Sequence, residues 1–124
     1  MIYLDTHVVV WLYAGLIKQF SPTAVTLINQ HDLVVSPIVR LELQYLFEIG
    51  RISSDAHTIA ADLTQRVGLT ICAKPFDTVV TSSLSVTWTR DPFDRLIVAQ
   101  AAVQNDLLLS KDQKILTNYG QARW

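Results

Sequence analysis

The sequence predicts an α/β fold with a parallel central sheet, and three observations carry that prediction. Short apolar runs at Met1 to Leu4, Leu33 to Val35 and Leu107 to Leu109 read as strands buried on both faces. Helical patterns separate them, several opening with a cap residue followed by proline. Alternation of this kind implies right-handed crossovers and helices against both faces of the sheet.

Met1 to Leu4 is closed by Asp5 and forms the first strand. Thr6 to Ala14 predicts a helix, with Val9, Val10 and Tyr13 at helical spacing and Gly15 as its stop. Ser21-Pro22 starts a second helix, expected to run through Val25, Leu27 and Ile28 to Gln30. After the strand Leu33 to Val35, Ser36-Pro37 repeats the start signal for a helix reaching Ile49 and stopping at Gly50. The next helix begins near Ser53-Ser54-Asp55, ends before Gly68 and leads into a strand from Leu69 to Cys72. From Pro75 to Val86, Phe76, Val79, Val80 and Leu84 fit a helix whose Thr, Val and Ser content lowers its propensity. A further helix runs from Pro92 to Gln104, ahead of the strand Leu107 to Leu109, which ends at Ser110-Lys111-Asp112.

A chain of 124 residues suits one domain, and no repeat, low-complexity tract or linker divides it, so a single domain over 1–124 is expected. Half of the residues are hydrophobic and only 17% are charged, which excludes a disordered chain. No uninterrupted apolar run approaches the roughly 20 residues that cross a bilayer. No basic leader precedes the first strand, and the single Cys72 cannot form an internal disulfide, so a cytoplasmic location is expected. Cys72 itself reads as a buried small hydrophobe. The net charge of −1 argues against a simple polyanion-binding surface. Gathering four acids in one cation-neutralised site would leave the rest at about +3, which allows contact with phosphates. Three tryptophans and a mean hydropathy of +0.28 suggest apolar surface beyond one small core, and a homodimer is the expectation.

The acids are the informative residues. Asp5 follows the first strand and Asp112 follows the strand Leu107 to Leu109, so both fall at carboxyl strand ends, where open α/β sheets place their ligands. Asp91-Pro92 opens a helix, with Asp91 as the cap and Asp94 in the first turn, where the helix dipole favours negative charge. Glu42 lies among Ile38, Val39, Tyr45 and Leu46, on a helix face that should point inward. A carboxylate there is costly unless paired, either with a hydrogen-bond donor or an arginine such as Arg40, or with other carboxylates through a cation. Clustered carboxylates repel one another, and a hard divalent cation resolves that conflict. Asp5, Glu42, Asp94 and Asp112 would then make an acidic cradle suited to phosphodiester hydrolysis.

The order of these motifs resembles the PIN-domain nucleases, and most closely the small VapC-type ribonuclease toxins. The resemblance rests on Ile2-Tyr3-Leu4-Asp5-Thr6-His7, Val39-Arg40-Leu41-Glu42-Leu43, Arg90-Asp91-Pro92-Phe93-Asp94-Arg95-Leu96-Ile97-Val98-Ala99 and Leu108-Leu109-Ser110-Lys111-Asp112. It covers essentially the whole chain. It implies a three-layer α/β/α sandwich, a pocket binding Mg²⁺ or Mn²⁺, endonucleolytic cleavage of RNA, and a small antitoxin as partner. Asp5, Glu42, Asp94 and Asp112 look like the family's four acids, and Thr6 and Ser110 fall where a supporting hydroxyl is common. Asp91 reads as the helix cap, with a secondary role in orienting water at the site.

Other residues carry bland readings. A general-base role for His7 is not needed by the family's chemistry, and His31 and His57 read as surface residues. Arg95 reads as an ion-pair partner of Asp91 at helical spacing, or as a phosphate contact. Trp11, Trp88 and Trp124 read as core or interface residues. Two rival functions remain. A phospho-aspartate enzyme built on Asp5 would want a second acid where His7 stands, and leaves Glu42 unexplained. A catalytically inert PIN-like binding module would be favoured by an arginine or lysine filling the acid pocket.

Overall fold

Five short parallel strands form the centre of the computed structural model, which describes residues 1–124. They are β1 (Ile2–Leu4), β2 (Leu33–Val35), β3 (Thr70–Ile71), β4 (Leu107–Leu109) and β5 (Ala122–Arg123), in the order β3-β2-β1-β4-β5. Register is set by Tyr3, which pairs with Val34 on one side and Leu108 on the other. Seven helices surround the sheet: α1 (Thr6–Ala14), α2 (Pro22–Gln30), α3 (Pro37–Glu48), α4 (Ala56–Val67), α5 (Phe76–Ser83), α6 (Pro92–Ala102) and α7 (Gln113–Asn118).

The chain leaves β1 in one direction for β2 and β3, then crosses back to place β4 and β5 on the other side. Right-handed crossovers therefore put the two groups of connecting helices on opposite faces, as in an α/β/α sandwich. The strand order reverses between β1 and β4, so the carboxyl ends of those two strands flank the switch point. Asp5 and Ser110 stand there.

The strands are apolar because both faces are covered. Ile2, Leu4, Leu108 and Leu109 are completely buried and share one cluster with Val8, Leu43, Leu63 and Ile97. Each such side chain stabilises the fold by about 1.5–3 kcal/mol relative to its exposed form. Local signals set the helix ends. Ser21 Oγ accepts from the Ala24 amide at 2.9 Å, and Asp55 Oδ1 accepts from Thr58 at 2.8 Å. Gly15 closes α1 in the left-handed region at φ 69°, where a side chain would be strained.

Several expectations are corrected. The strand expected over Leu69 to Cys72 keeps only Thr70 and Ile71, and the helix expected over Pro75 to Val86 ends at Ser83. No sequence pattern marks the elements after β4, which are α7 and β5. Cys72 is only partly buried, and its sulfur lies 3.1 Å from the Tyr3 hydroxyl, which also accepts from Lys74 Nζ at 2.9 Å. It belongs to a polar network and is not a simple hydrophobe.

Candidate active site

Asp5 is the most enclosed acid, 4% exposed at the end of β1. Its Oδ1 accepts from the Thr6 amide at 2.7 Å and its Oδ2 from Ser110 Oγ at 2.7 Å. Ser110 Oγ in turn accepts from the Asp112 amide at 3.1 Å, so one fully buried hydroxyl ties β1 to the turn after β4. Burial raises the pKa of Asp5, against the lowering effect of these two donors and of His7; the charge of Asp112 adds to the rise.

Glu42 is half-buried on α3, and its Oε1 accepts a hydrogen bond from Thr6 Oγ1. It pairs with no arginine; Arg40 is exposed on the helix surface. Burial pushes the Glu42 carboxyl up, Thr6 opposes this, and the charges of Asp5 and Asp91 push it further. Thr6 and Ser110 therefore each donate a hydrogen bond to one of the acids.

Asp91 caps α6, accepting from Phe93 N at 2.8 Å and Asp94 N at 3.1 Å through Oδ1. Asp94 follows in the first turn, half-buried, and its carboxylate receives no hydrogen bond from the protein. Its pKa is pushed up to about 7, first by burial and then by the charges of Asp91, Asp5, Asp112 and Glu42. Those four carboxylates therefore all lie within electrostatic reach of Asp94. Asp112 caps α7, accepting from Lys114 N at 2.8 Å and Ile115 N at 3.1 Å. The amino ends of α1, α6 and α7 thus meet the acids with the positive ends of their dipoles.

Arg95 does not pair with Asp91. Its guanidinium donates to the Ser83 carbonyl, Nη2 at 3.1 Å and Nε at 3.3 Å, and so ties α6 to α5. The only two salt bridges of the molecule, Arg66–Asp62 and Lys74–Asp106, lie elsewhere. No arginine or lysine neutralises any of the four acids.

A cavity of about 320 Å³ opens beside the site, lined by Asp5, His7, Trp11, Lys111 and Asp112. Trp11 and Lys111 are the residues that sequence reasoning missed here. The signal for Trp11 was its position four after His7, one helical turn along the same face of α1. His31 stays apart from the site, with its Nδ1 3.0 Å from the Leu27 carbonyl.

The donor set is carboxylate oxygen throughout, which is the chemistry of a hard divalent cation. No three His, Cys, Asp or Glu side chains come together closely enough to hold a metal ion between them. A cation with one or two direct carboxylates and water in its remaining positions fits that arrangement, and this is how Mg²⁺ is commonly held.

A family model for the PIN domain matches residues 2–120. The chain belongs to the PIN domain family. The fold of this PIN domain is also that of solved toxin–antitoxin assemblies. VapBC2 from Rickettsia felis, solved with a DNA fragment from its promoter, contains a chain with a TM-score of 0.69 and 19% identity, covering 100% of this chain and 99% of that one. A toxin–antitoxin complex from Klebsiella pneumoniae gives 0.65 at 12% identity, covering 100% and 97%. VapBC-1 from nontypeable Haemophilus influenzae gives 0.57 at 21% identity, covering 99% and 97%. At such identities the likeness is one of fold. No protein of curated function matches the chain in sequence.

Proposed function

We propose that this PIN-domain protein is a metal-dependent endoribonuclease and the toxin of a type II toxin–antitoxin pair, acting in the cytoplasm. The observation that carries the reading is the convergence of Asp5, Glu42 and Asp112 on Asp94, with no cationic side chain paired to any of the four acids. Such a set is unfavourable in isolation and becomes favourable around a divalent cation. Asp5, Glu42, Asp94 and Asp112 would hold Mg²⁺ or Mn²⁺. When bound, the cation supplies charge stabilisation at a phosphoryl oxygen and lowers the pKa of water.

The protein's own residues do the positioning. Ser110 and Thr6 fix the rotamers of Asp5 and Glu42 through the hydrogen bonds described above. Asp91 anchors the first turn of α6 and so sets where Asp94 stands. Its outward carboxylate oxygen is free to orient water.

Partners follow from the apolar surface and from the toxin–antitoxin assemblies that share the fold. An open cavity of about 350 Å³ is lined by Trp11, Leu12, Ile17, Phe20, Val25 and Ile28, and Trp11 borders the acid mouth as well. An apolar helix of an antitoxin seated there would lie beside the acids it inhibits. Exposed Leu41, Tyr45, Phe76 and Leu84 supply apolar surface for a homodimer.

The deciding experiment is cleavage of a total-RNA pool by partner-free protein with Mg²⁺, Mn²⁺ or EDTA, beside folded Asp5→Asn and Asp94→Asn variants. The expected result is metal-dependent cleavage that both variants lose. Absence of metal-dependent cleavage by the folded wild type would instead favour the inert binding module.

A further inference from the structure

Lys111 lines the acid cavity together with Asp5 and Asp112, yet it pairs with neither carboxylate and donates no hydrogen bond. Its Nζ lies instead over the Trp11 ring, 5.7 Å from the centroid. The flanking cations of the acid-bearing motifs are committed differently. Arg90 donates to the Thr87 carbonyl at 2.8 Å and Arg95 to that of Ser83. Lys111 makes no hydrogen bond or ion pair and, unlike the equally unpaired Arg40, it borders the acid cavity.

Trp11 is held firmly enough to act as a rest for that ammonium. Its ring packs edge-on against Trp124 at 5.7 Å and Phe20 at 6.3 Å, and those two stack on each other at 5.6 Å. An exposed cation–π contact and an exposed ion pair are of comparable strength. A fixed aromatic face therefore suffices to hold the lysine off the acids, where it would otherwise neutralise the site. The cavity it borders is at the small end of ligand clefts, the scale of one nucleotide unit.

We infer that Lys111, parked on Trp11, is the phosphate-binding residue that receives single-stranded RNA at the mouth of the acid site, with Trp11 as its positioning residue. The inference rests on the nuclease reading and gives it a grip on the substrate. A polyanion approaching four carboxylates needs a cation at the rim. An ammonium that is free and exposed can leave the ring for a phosphate without breaking an ion pair.

The test uses the full-length protein and a fluorescent single-stranded RNA oligonucleotide. Michaelis constants are measured with Mg²⁺, and affinity is measured against salt in EDTA, where cleavage plays no part. Lys111→Ala is expected to raise KM about tenfold while kcat stays within about twofold, with Lys111→Arg close to wild type. In the binding arm it should reduce the slope of log affinity against log salt by about 0.7, the loss of one phosphate contact on a single strand. Trp11→Leu should reproduce the KM defect and Trp11→Phe should restore it; where Trp11→Leu fails to fold, the Lys111 pair decides. Cleavage by the wild type with unchanged KM and salt slope in Lys111→Ala would overturn this inference and leave the nuclease standing. Failure of the wild type to cleave would remove the nuclease reading. The salt slope would then still decide for or against Lys111, and a protein that does not bind the oligonucleotide overturns the inference as well.

Discussion

Asp94 ionises against burial and four neighbouring charges, so the molecule without a cation should be sensitive to pH in a defined window. Its native carboxyl keeps a proton up to about pH 7, whereas the ordinary value is 3.8. Between these values the native state binds more protons than the unfolded chain, so stability falls as pH rises from about 4 to about 7. Asp5 and Glu42 are raised too and act in the same direction. In EDTA the wild-type melting temperature should decline across that window, and Asp94→Asn should flatten the decline. At pH 8 the variant should melt about 3 °C higher, the shift that roughly 1 kcal/mol gives in a domain of this size. Mg²⁺ should stabilise the wild type at pH 8 and do little for Asp94→Asn; equal stabilisation of both would remove Asp94 from the cation site. Ser110→Ala gives a second check. It removes a buried donor from Asp5, with an expected cost of about 1–3 kcal/mol in denaturant unfolding. Its Mg²⁺ affinity by calorimetry should fall about 10- to 100-fold, and an unaltered affinity would leave Ser110 a structural residue only. The four acids of the proposed site stand out in the sequence because each lies at a strand end, at a helix start or in an apolar stretch. The partnership of Thr6 with Glu42 and the resting place of Lys111 do not, since both depend on side chains brought together by the fold.

Asp112 has two roles at the level of its helix, and two substitutions separate them. It caps α7 through two backbone amides, and it contributes charge to the acid site. Asp112→Ala loses both, and the missing cap should cost about 1 kcal/mol in denaturant unfolding. Asp112→Asn keeps an oxygen for the same amides, so its stability should stay near wild type while metal-dependent cleavage disappears. Cleavage retained by the asparagine variant would exclude Asp112 from the set. This duality also explains what sequence reading missed. Taking Asp112 as a site acid hid it as a helix start, and the six-residue α7 is too short to show helical periodicity. β5 has only Ala122 and Arg123, paired to Leu108 and Leu109, too few residues for any alternation. The longer helices were legible because Ser21-Pro22, Ser36-Pro37 and Asp91-Pro92 each combine a cap with a proline. The trimmed ends of α5 and α6 reflect tertiary packing, which local propensity does not encode.

Across the whole molecule, the switch point between β1 and β4 concentrates the acids at one edge, and α1 carries the surface away from it. Asp5 lies at the amino end of that helix, His7 and Trp11 follow, and the apolar cavity against α2 begins at Trp11. A partner filling that cavity would reach the acid mouth without crossing any other element, so inhibition and catalysis should be separable by substitution. Ile17 is the residue to change, because it lines the cavity, is 75% exposed and touches none of the acids. Ile17→Asp should fold normally and cleave RNA within about twofold of wild type. Its neutralisation by the cognate antitoxin should weaken by at least tenfold, since an apolar contact worth about 1.5–3 kcal/mol is lost and a charge is left to be desolvated. Titration of antitoxin against cleavage, with binding measured in parallel, gives both quantities. A variant that remains fully neutralised would move the antitoxin to another face. A variant that loses cleavage would show that the cavity supports the site itself, through the packing of Trp11.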